Sequence, residues 1–159
     1  MKTLIAPLTT TLLLAGPALA DGKIYVQLPD LSGITGSEAE AFLSEVVLAN
    51  VVSSNCAGYE ITDEEWSLLT DSADILAREQ LRLSVDDYDT RFYSPAFDAL
   101  DRPETCDQAG PGVQPTIDRL VELGGSREAL PDQDAAYEAE QARHASWDAM
   151  EQPRKTKTK

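Results

Sequence analysis

The side chains in this sequence best suited to chemistry are its carboxylates. Of 159 residues, 28 are Asp or Glu and 13 are Lys or Arg, which gives a net charge of −15 at pH 7. Two carboxylic acids held together can serve a hydrolase as general acid and general base. Only the abundance of acids motivates that interpretation here, because no spacing singles out a pair. The sequence therefore favours a protein without catalytic activity, and it predicts no catalytic residue.

Metal and nucleophile chemistry lacks its usual residues. The chain has one histidine, His144, so a metal site with several histidine ligands is excluded. A Ser-His-Asp triad on the main helices would lack its general base. Asp86, Asp87 and Asp89 crowd the start of a predicted helix, but a calcium loop beginning at Asp87 would need glycine in place of Phe92. Acids are typical of a first helical turn, where they complement the helix dipole. We expect no metal ligand set and no cofactor.

Two cysteines, Cys56 and Cys106, are the only ones in the chain. A redox pair usually has a short Cys-x-x-Cys spacing, whereas these two are far apart. An even number of cysteines in an exported protein predicts a disulfide bond. Closing a loop of about fifty residues would stabilise the fold by about 4 kcal/mol.

The aromatic residues are concentrated in or beside the loop that this disulfide would close. Most of them fall at helical spacing, which is typical of core packing. Tyr59 and Tyr93 lie off those stripes, so a second interpretation is a surface groove for a small ligand or a segment of a partner protein. The candidate groove residues are Tyr59, Asp86, Asp89, Arg91 and Tyr93.

The first 20 residues have the pattern of a secretory signal peptide. Lys2 precedes an apolar run that ends in Ala18-Leu19-Ala20, a small-residue cleavage site, so the mature chain is expected to begin at Asp21. An uncleaved membrane anchor is disfavoured because Pro7 and Pro17 interrupt a segment shorter than the roughly 20 apolar residues that a span needs. The sequence therefore predicts a periplasmic or secreted protein without a membrane span.

Acidic residues dominate the rest of the chain. From residue 21 to 153 there are 28 acidic and eight basic residues, and such a surface repels nucleic acid and anionic lipid. Solubility alone would explain this charge, and the alternatives are a basic partner or loose binding of divalent cations. Four further basic residues lie in 153–159, a tail that we expect to be disordered.

Four helices are predicted between residues 37 and 125. The first three begin with capping-box patterns, in which a cap and the residue three positions later satisfy each other's backbone donors. The third is expected to kink at Pro95 or restart with Ser94 as its cap, and the fourth runs from about Pro115 to Gly124. The capping pairs are Ser37 with Glu40, Thr62 with Glu65, and Ser84 with Asp87, and the predicted buried stripe of the second helix is Trp66, Leu69, Ala73 and Leu76.

Two further segments flank these helices. Ile24, Val26 and Leu28 alternate with polar residues in 21–36, which predicts an extended arm laid along the core. Residues 126–152 favour helix but have few large apolar side chains, so two alternatives stay open. The segment either packs on the bundle or is a loosely attached extension.

Three short stretches form a recognisable layout: Asn55-Cys56-Ala57-Gly58-Tyr59, Pro95-Ala96-Phe97, and Thr105-Cys106 with Gly110-Pro111, in about half of the mature chain. This layout resembles that of small exported helical bacterial proteins with two distant cysteines, a group with no known activity. This resemblance implies no catalytic residue.

We therefore predict an all-α fold, an up-down bundle of about four helices closed by one disulfide. The expected function is that of an exported, non-catalytic binding or accessory protein whose partner is an envelope protein or a small ligand. The alternatives are an acidic protein that binds divalent cations and a hydrolase with paired carboxylates. The predicted segments are the signal peptide 1–20, the arm 21–36, the bundle 37–125, the helical extension 126–152 and the basic tail 153–159.

Overall fold

The computed structural model describes residues 22–151, and most of these residues are helical. Within this range there is no β-strand, only an isolated antiparallel bridge between Val26 and Ala129. The predicted all-α fold is confirmed, while the up-down order of four helices stays a prediction. The predicted signal peptide and basic tail lie outside the described residues. The helices are α1 (Gly36–Asn55), α2 (Asp63–Ile75), α3 (Val85–Tyr88), α4 (Ser94–Ala99), α5 (Thr105–Ala109), α6 (Val113–Glu122) and α7 (Gln133–Glu151).

Helix α1 is the centre of the fold and contacts α2, α4, α5 and α6. Its apolar residues recur at steps of three and four, and Phe42, Leu43 and Val46 are fully buried. The N-cap is Thr35, which makes no side-chain cap bond, so the predicted capping box of Ser37 and Glu40 is wrong. The Glu40 carboxylate instead accepts a hydrogen bond from Arg91 at 2.8 Å.

Helix α2 begins with the predicted capping box. Thr62 accepts a hydrogen bond from the Glu65 amide, and the Glu65 carboxylate accepts one from the Thr62 amide. Leu69, Ala73 and Leu76 are buried as predicted, but Trp66 is 41 % exposed and does not belong to the buried face. That face is instead shifted toward neighbouring positions and includes Ser67, Leu68 and Ser72.

Two π-helical turns extend the short helices. One, Leu76–Gln80, lengthens α2, and the other, Asp89–Tyr93, joins α3 to α4. The predicted Ser84 cap of α3 is confirmed, because its hydroxyl accepts a hydrogen bond from the Asp87 amide at 3.1 Å. Ser94 is not a new cap, since its backbone is helical and its hydroxyl donates to Asp89. The wide turn before Pro95 keeps the chain helical up to the residue that has no amide hydrogen.

The predicted disulfide is present. Cys56 directly follows α1, Cys106 lies in α5, and their Cα atoms are 5.5 Å apart. The ring of Tyr59 packs against Gly110 in the turn after α5, where an added Cβ would lie 2.3 Å from that ring. This contact requires glycine at position 110.

The arm and α7 cover one side of α2. Gln133, the first residue of α7, donates to the Tyr25 carbonyl and accepts from the Tyr25 amide. Farther along α7, Trp147 is 7 % exposed within the core and donates its indole hydrogen to Glu79. Helix α7 therefore packs on the bundle, which answers the alternative left open by the sequence. Among residues 22–151, no helix combines the length and apolar composition needed to cross a bilayer.

Candidate functional site

Two groups of side chains that include residues of α2 are candidates for binding or catalysis. The first is a buried ionic cluster. Its members are Lys23, Tyr25, Asp71 and Glu140, hereafter the Lys23 cluster. The Lys23 ammonium donates to Asp71 at 2.6 Å and also to Glu140, while the Tyr25 hydroxyl donates to the second Glu140 oxygen at 3.1 Å. These bonds join the arm, α2 and α7 at one point.

The charge balance of the Lys23 cluster explains its pKa shifts. Burial opposes the lysine charge, but hydrogen bonds and attraction from both carboxylates raise the pKa of Lys23 above its ordinary value. Burial raises the pKa of Asp71, and the bond from Lys23 offsets only part of that effect. The charge of Glu140 also raises the pKa of Asp71, whereas the charge of Arg143 lowers it.

The chemistry available to the Lys23 cluster is limited by its geometry. A lysine with a raised pKa holds its proton, so it is no general base for the nearby Ser67 hydroxyl. Asp71 and Glu140 are 4 % and 6 % exposed, so both carboxylates present little surface to a substrate. The arrangement suits a structural junction better than an acid and base pair.

The second group is a small cavity, hereafter the aromatic cavity. It lies between α1, α2 and residues 85–93, which run from α3 through the following π-helical turn and are called the α3 segment. Three rings contribute to it, from Trp66, Tyr88 and Tyr93, and its volume is about 90 Å³. The Tyr93 ring centre lies 6.3 Å from that of Tyr88 and 5.0 Å from that of Phe97. Trp66, Tyr93 and Phe97 are each about two-fifths exposed. The remaining lining residues are Val47, Asn50, Thr70 and Ala73.

Asp74 follows Ala73 of the aromatic cavity along α2 but does not itself line the cavity. Helical spacing puts it on the face of α2 that carries Trp66 and Thr70, one turn after Thr70. Its negative charge helps to raise the pKa of Tyr88, although burial of the ring is the larger cause. Burial also raises the pKa of Asp74 itself, reinforced by the charge of Asp71 and opposed by nearby His144, Lys23 and Arg78. Within residues 22–151, the structure forms no hydrogen bond or ion pair to the Asp74 carboxylate.

The predicted groove residues do not all lie together. Tyr93 lines the aromatic cavity, whereas Tyr59 lines a different one beside Gly110 and Pro111. Arg91 pairs with Glu40 of α1 at 2.8 Å, and Asp89 accepts a hydrogen bond from Ser94. Asp86 is exposed in the first turn of α3. Whether any of these residues binds a partner stays a prediction.

The acidic side chains and His144 are the residues that bear on a metal site. In the part of the chain that the structure describes, no three His, Cys, Asp or Glu side chains are arranged to hold a metal ion. His144 is half-buried, and its ring centre lies 5.0 Å from that of Trp147. Its charged neighbour across the helix interface is Asp74.

Sequence reasoning missed the Lys23 cluster, Asp74 and the exposure of Trp66. One available signal was that Lys23 is the only lysine between residues 21 and 153 in a strongly acidic chain. Another was that Asp71 and Asp74 interrupt the apolar spacing of α2. Comparison of the chain with protein-family models, curated proteins and solved structures found no match.

Proposed function

We propose that this chain is a non-catalytic binding protein and that the aromatic cavity is its binding site. The observation that supports this proposal is the clustering of exposed aromatic rings. Single exposed apolar residues are ordinary on a protein surface, but contiguous ones mark contact sites. Of the six large hydrophobic side chains exposed among residues 22–151, Trp66, Tyr93 and Phe97 belong to this one surface.

The rigidity of the surroundings also supports this function. Trp66 projects from a helix with a complete capping box, and Tyr93 projects from a helical segment packed on α1. The disulfide joins the chain on either side of these elements. Aromatic rings lose little conformational freedom on binding, and a fixed scaffold lowers that cost further.

The size of the aromatic cavity indicates how large a group it can bind. Its volume of about 90 Å³ is well below the roughly 300–1,000 Å³ typical of pockets for complete small molecules. We therefore propose that it receives one chemical group of a larger ligand. Trp66 also lines a neighbouring depression of about 330 Å³ with Asp63 and Lys23, where more of the ligand can lie.

We further propose that the protein acts outside the cytoplasm. The disulfide supports this location, because such bonds persist in oxidising compartments. Hydrolysis by paired carboxylates receives less support, since the bonded pair around Lys23 is buried. Binding of divalent cations stays an alternative without a specific site to support it.

A fragment screen by protein NMR tests the proposed binding site. The oxidised protein, residues 21–159, is titrated with a library of small polar and apolar fragments, and amide and indole shifts are mapped. We expect the hits to perturb the Trp66 indole and the α3 segment. The double variant Trp66→Ser with Tyr93→Ser should lose these hits while keeping the spectrum of a folded protein.

The matched control is Tyr137→Ser, which removes a ring of 45 % exposure on α7, away from the aromatic cavity. This variant should retain all hits. Hits that map elsewhere, or that survive the double substitution, would refute the aromatic cavity as the binding site.

A further inference from the structure

We propose that the aromatic cavity binds a methylated ammonium group, with Trp66, Tyr88 and Tyr93 as its walls and Asp74 as its counter-ion. This inference rests on the proposed function and specifies its ligand. Three observations carry it: the three rings, the uncharged remainder of the lining, and a carboxylate one helical turn beyond Thr70.

The rings supply the first part of the recognition. Aromatic faces attract cations through their quadrupole, most strongly for tryptophan, and a group of rings around one cavity is the usual site for a methylated ammonium. The methyl groups also bury apolar surface against the rings, which a hydrated ammonium cannot do as cheaply. Trp66, Tyr88 and Tyr93 all line the same cavity, which is how such a site is built.

The floor of the cavity is uncharged, so the negative charge for a bound cation has to come from Asp74. Val47 and Ala73 are apolar, and Asn50 donates its amide hydrogen to the Thr70 hydroxyl at 3.0 Å, which pairs these two polar groups with each other. The negative charge nearest to this lining along α2 is that of Asp74, which also acts on the Tyr88 ring, and a bound cation gains its ionic partner there.

Asp74 is otherwise a costly residue for the fold. Burial of this carboxylate without a hydrogen bond or ion pair in the described residues destabilises the free protein, and the charges of His144, Lys23 and Arg78 offset only part of that effect. Such a cost is typical of binding sites, where the missing partner is the ligand. Asp71 has its partner in Lys23, so the same explanation does not apply to it.

The ammonium group can come from a free small molecule or from a methylated lysine side chain, and the chemistry is the same. The experiment therefore uses choline, a peptide with trimethyllysine, and 3,3-dimethylbutanol, the uncharged isostere of choline. Binding is measured by the shift of the Trp66 indole hydrogen and by calorimetry on the oxidised chain.

We expect choline to bind with a dissociation constant on the order of 1 mM and the isostere to bind about tenfold more weakly. A peptide that binds about tenfold more tightly than choline would identify lysine side chains as the source, and the reverse order would identify a free ligand. Trp66→Leu should lower choline affinity about fivefold or more. Asp74→Asn should lower it about fivefold, and the exposed control Glu138→Gln should not.

Two results would overturn the ammonium inference. If neither choline nor the peptide shifts the indole at about 50 mM ligand, the cavity takes no such group. If the isostere binds as well as choline, the cavity is an apolar site and charge plays no part. In both cases the fragment screen still decides whether the cavity binds ligands, so the two proposals fail separately.

Discussion

Asp71 and Asp74 lie three residues apart on α2, and burial raises the pKa of both, yet their surroundings differ. Asp71 is bonded to Lys23 at a junction of three segments, whereas Asp74 directly follows Ala73 of the cavity lining and has no bonded partner in the described residues. The first carboxylate is explained by the fold that it holds together. The second has no such role, and its cost is explained if a ligand supplies the missing charge.

The largest expected effect is the loss of the cation at the junction. Lys23→Met leaves Asp71 and Glu140 buried without their shared partner, and breaking such a pair costs about 3–5 kcal/mol. The free energy of unfolding from urea denaturation of the oxidised protein measures this loss. The control is Arg91→Met, which breaks an exposed pair and should cost about 1 kcal/mol or less. Equal, small losses in both variants would contradict a structural role for Lys23.

Alanine at each aspartate compares the two carboxylates directly. Asp71→Ala removes an acceptor of the buried Lys23 ammonium and should lower the free energy of unfolding by about 1–3 kcal/mol. Asp74→Ala removes an unpaired charge and should cause no loss or a small gain. Denaturation of both variants in the same buffer measures the difference. A loss at Asp74 as large as that at Asp71 would show that Asp74 is also structural.

Tyr25→Phe tests the outer part of the junction. It removes the hydroxyl that donates to Glu140 at 3.1 Å and should cost about 0.5–1.5 kcal/mol. Tyr137→Phe is the matched control, because that ring is exposed and its hydroxyl should contribute little. If the two variants have the same thermal midpoint, the Tyr25 hydroxyl does not stabilise the junction.

The smallest effect is a pH dependence. Because the pKa of Asp74 is raised in the folded protein, folding favours its protonated form, and this group adds stability as pH falls from its folded pKa toward 3.8. Asp74→Asn should therefore be more stable than the wild type at pH 7. Its advantage should shrink toward zero near pH 4 in parallel denaturation series. A constant difference across this range would mean that the charge of Asp74 is not the cause.

Local signals in the sequence predicted much of the fold. The Thr62 and Glu65 capping box and the Ser84 cap were visible because their partners are three residues apart. The disulfide was predictable because two cysteines allow only one internal pairing. The arm was predicted to lie along the core, whereas the packing of the C-terminal helix was left open.

The functional residues were harder to predict because they depend on distant contacts. Lys23 meets residues 48 and 117 positions away, and no local pattern encodes such pairs. Trp66 has the same spacing from Leu69 as a buried residue would have. Its exposure depends on where the neighbouring helices lie, which the sequence of α2 alone does not specify. Tyr59 was predicted as a groove residue because it lies off the apolar stripes, and its ring packs against Gly110 and lines a cavity separate from that of Tyr93.

The most direct measurement is a carboxyl NMR titration of Asp71 and Asp74 with and without choline. In the free protein, both residues should titrate above the ordinary aspartate pKa of 3.8. Saturating choline should lower the pKa of Asp74 and leave that of Asp71 unchanged, because only Asp74 gains a cation. Equal shifts of both residues, or no shift of either, would contradict the assignment of Asp74 to ligand binding and Asp71 to the fold.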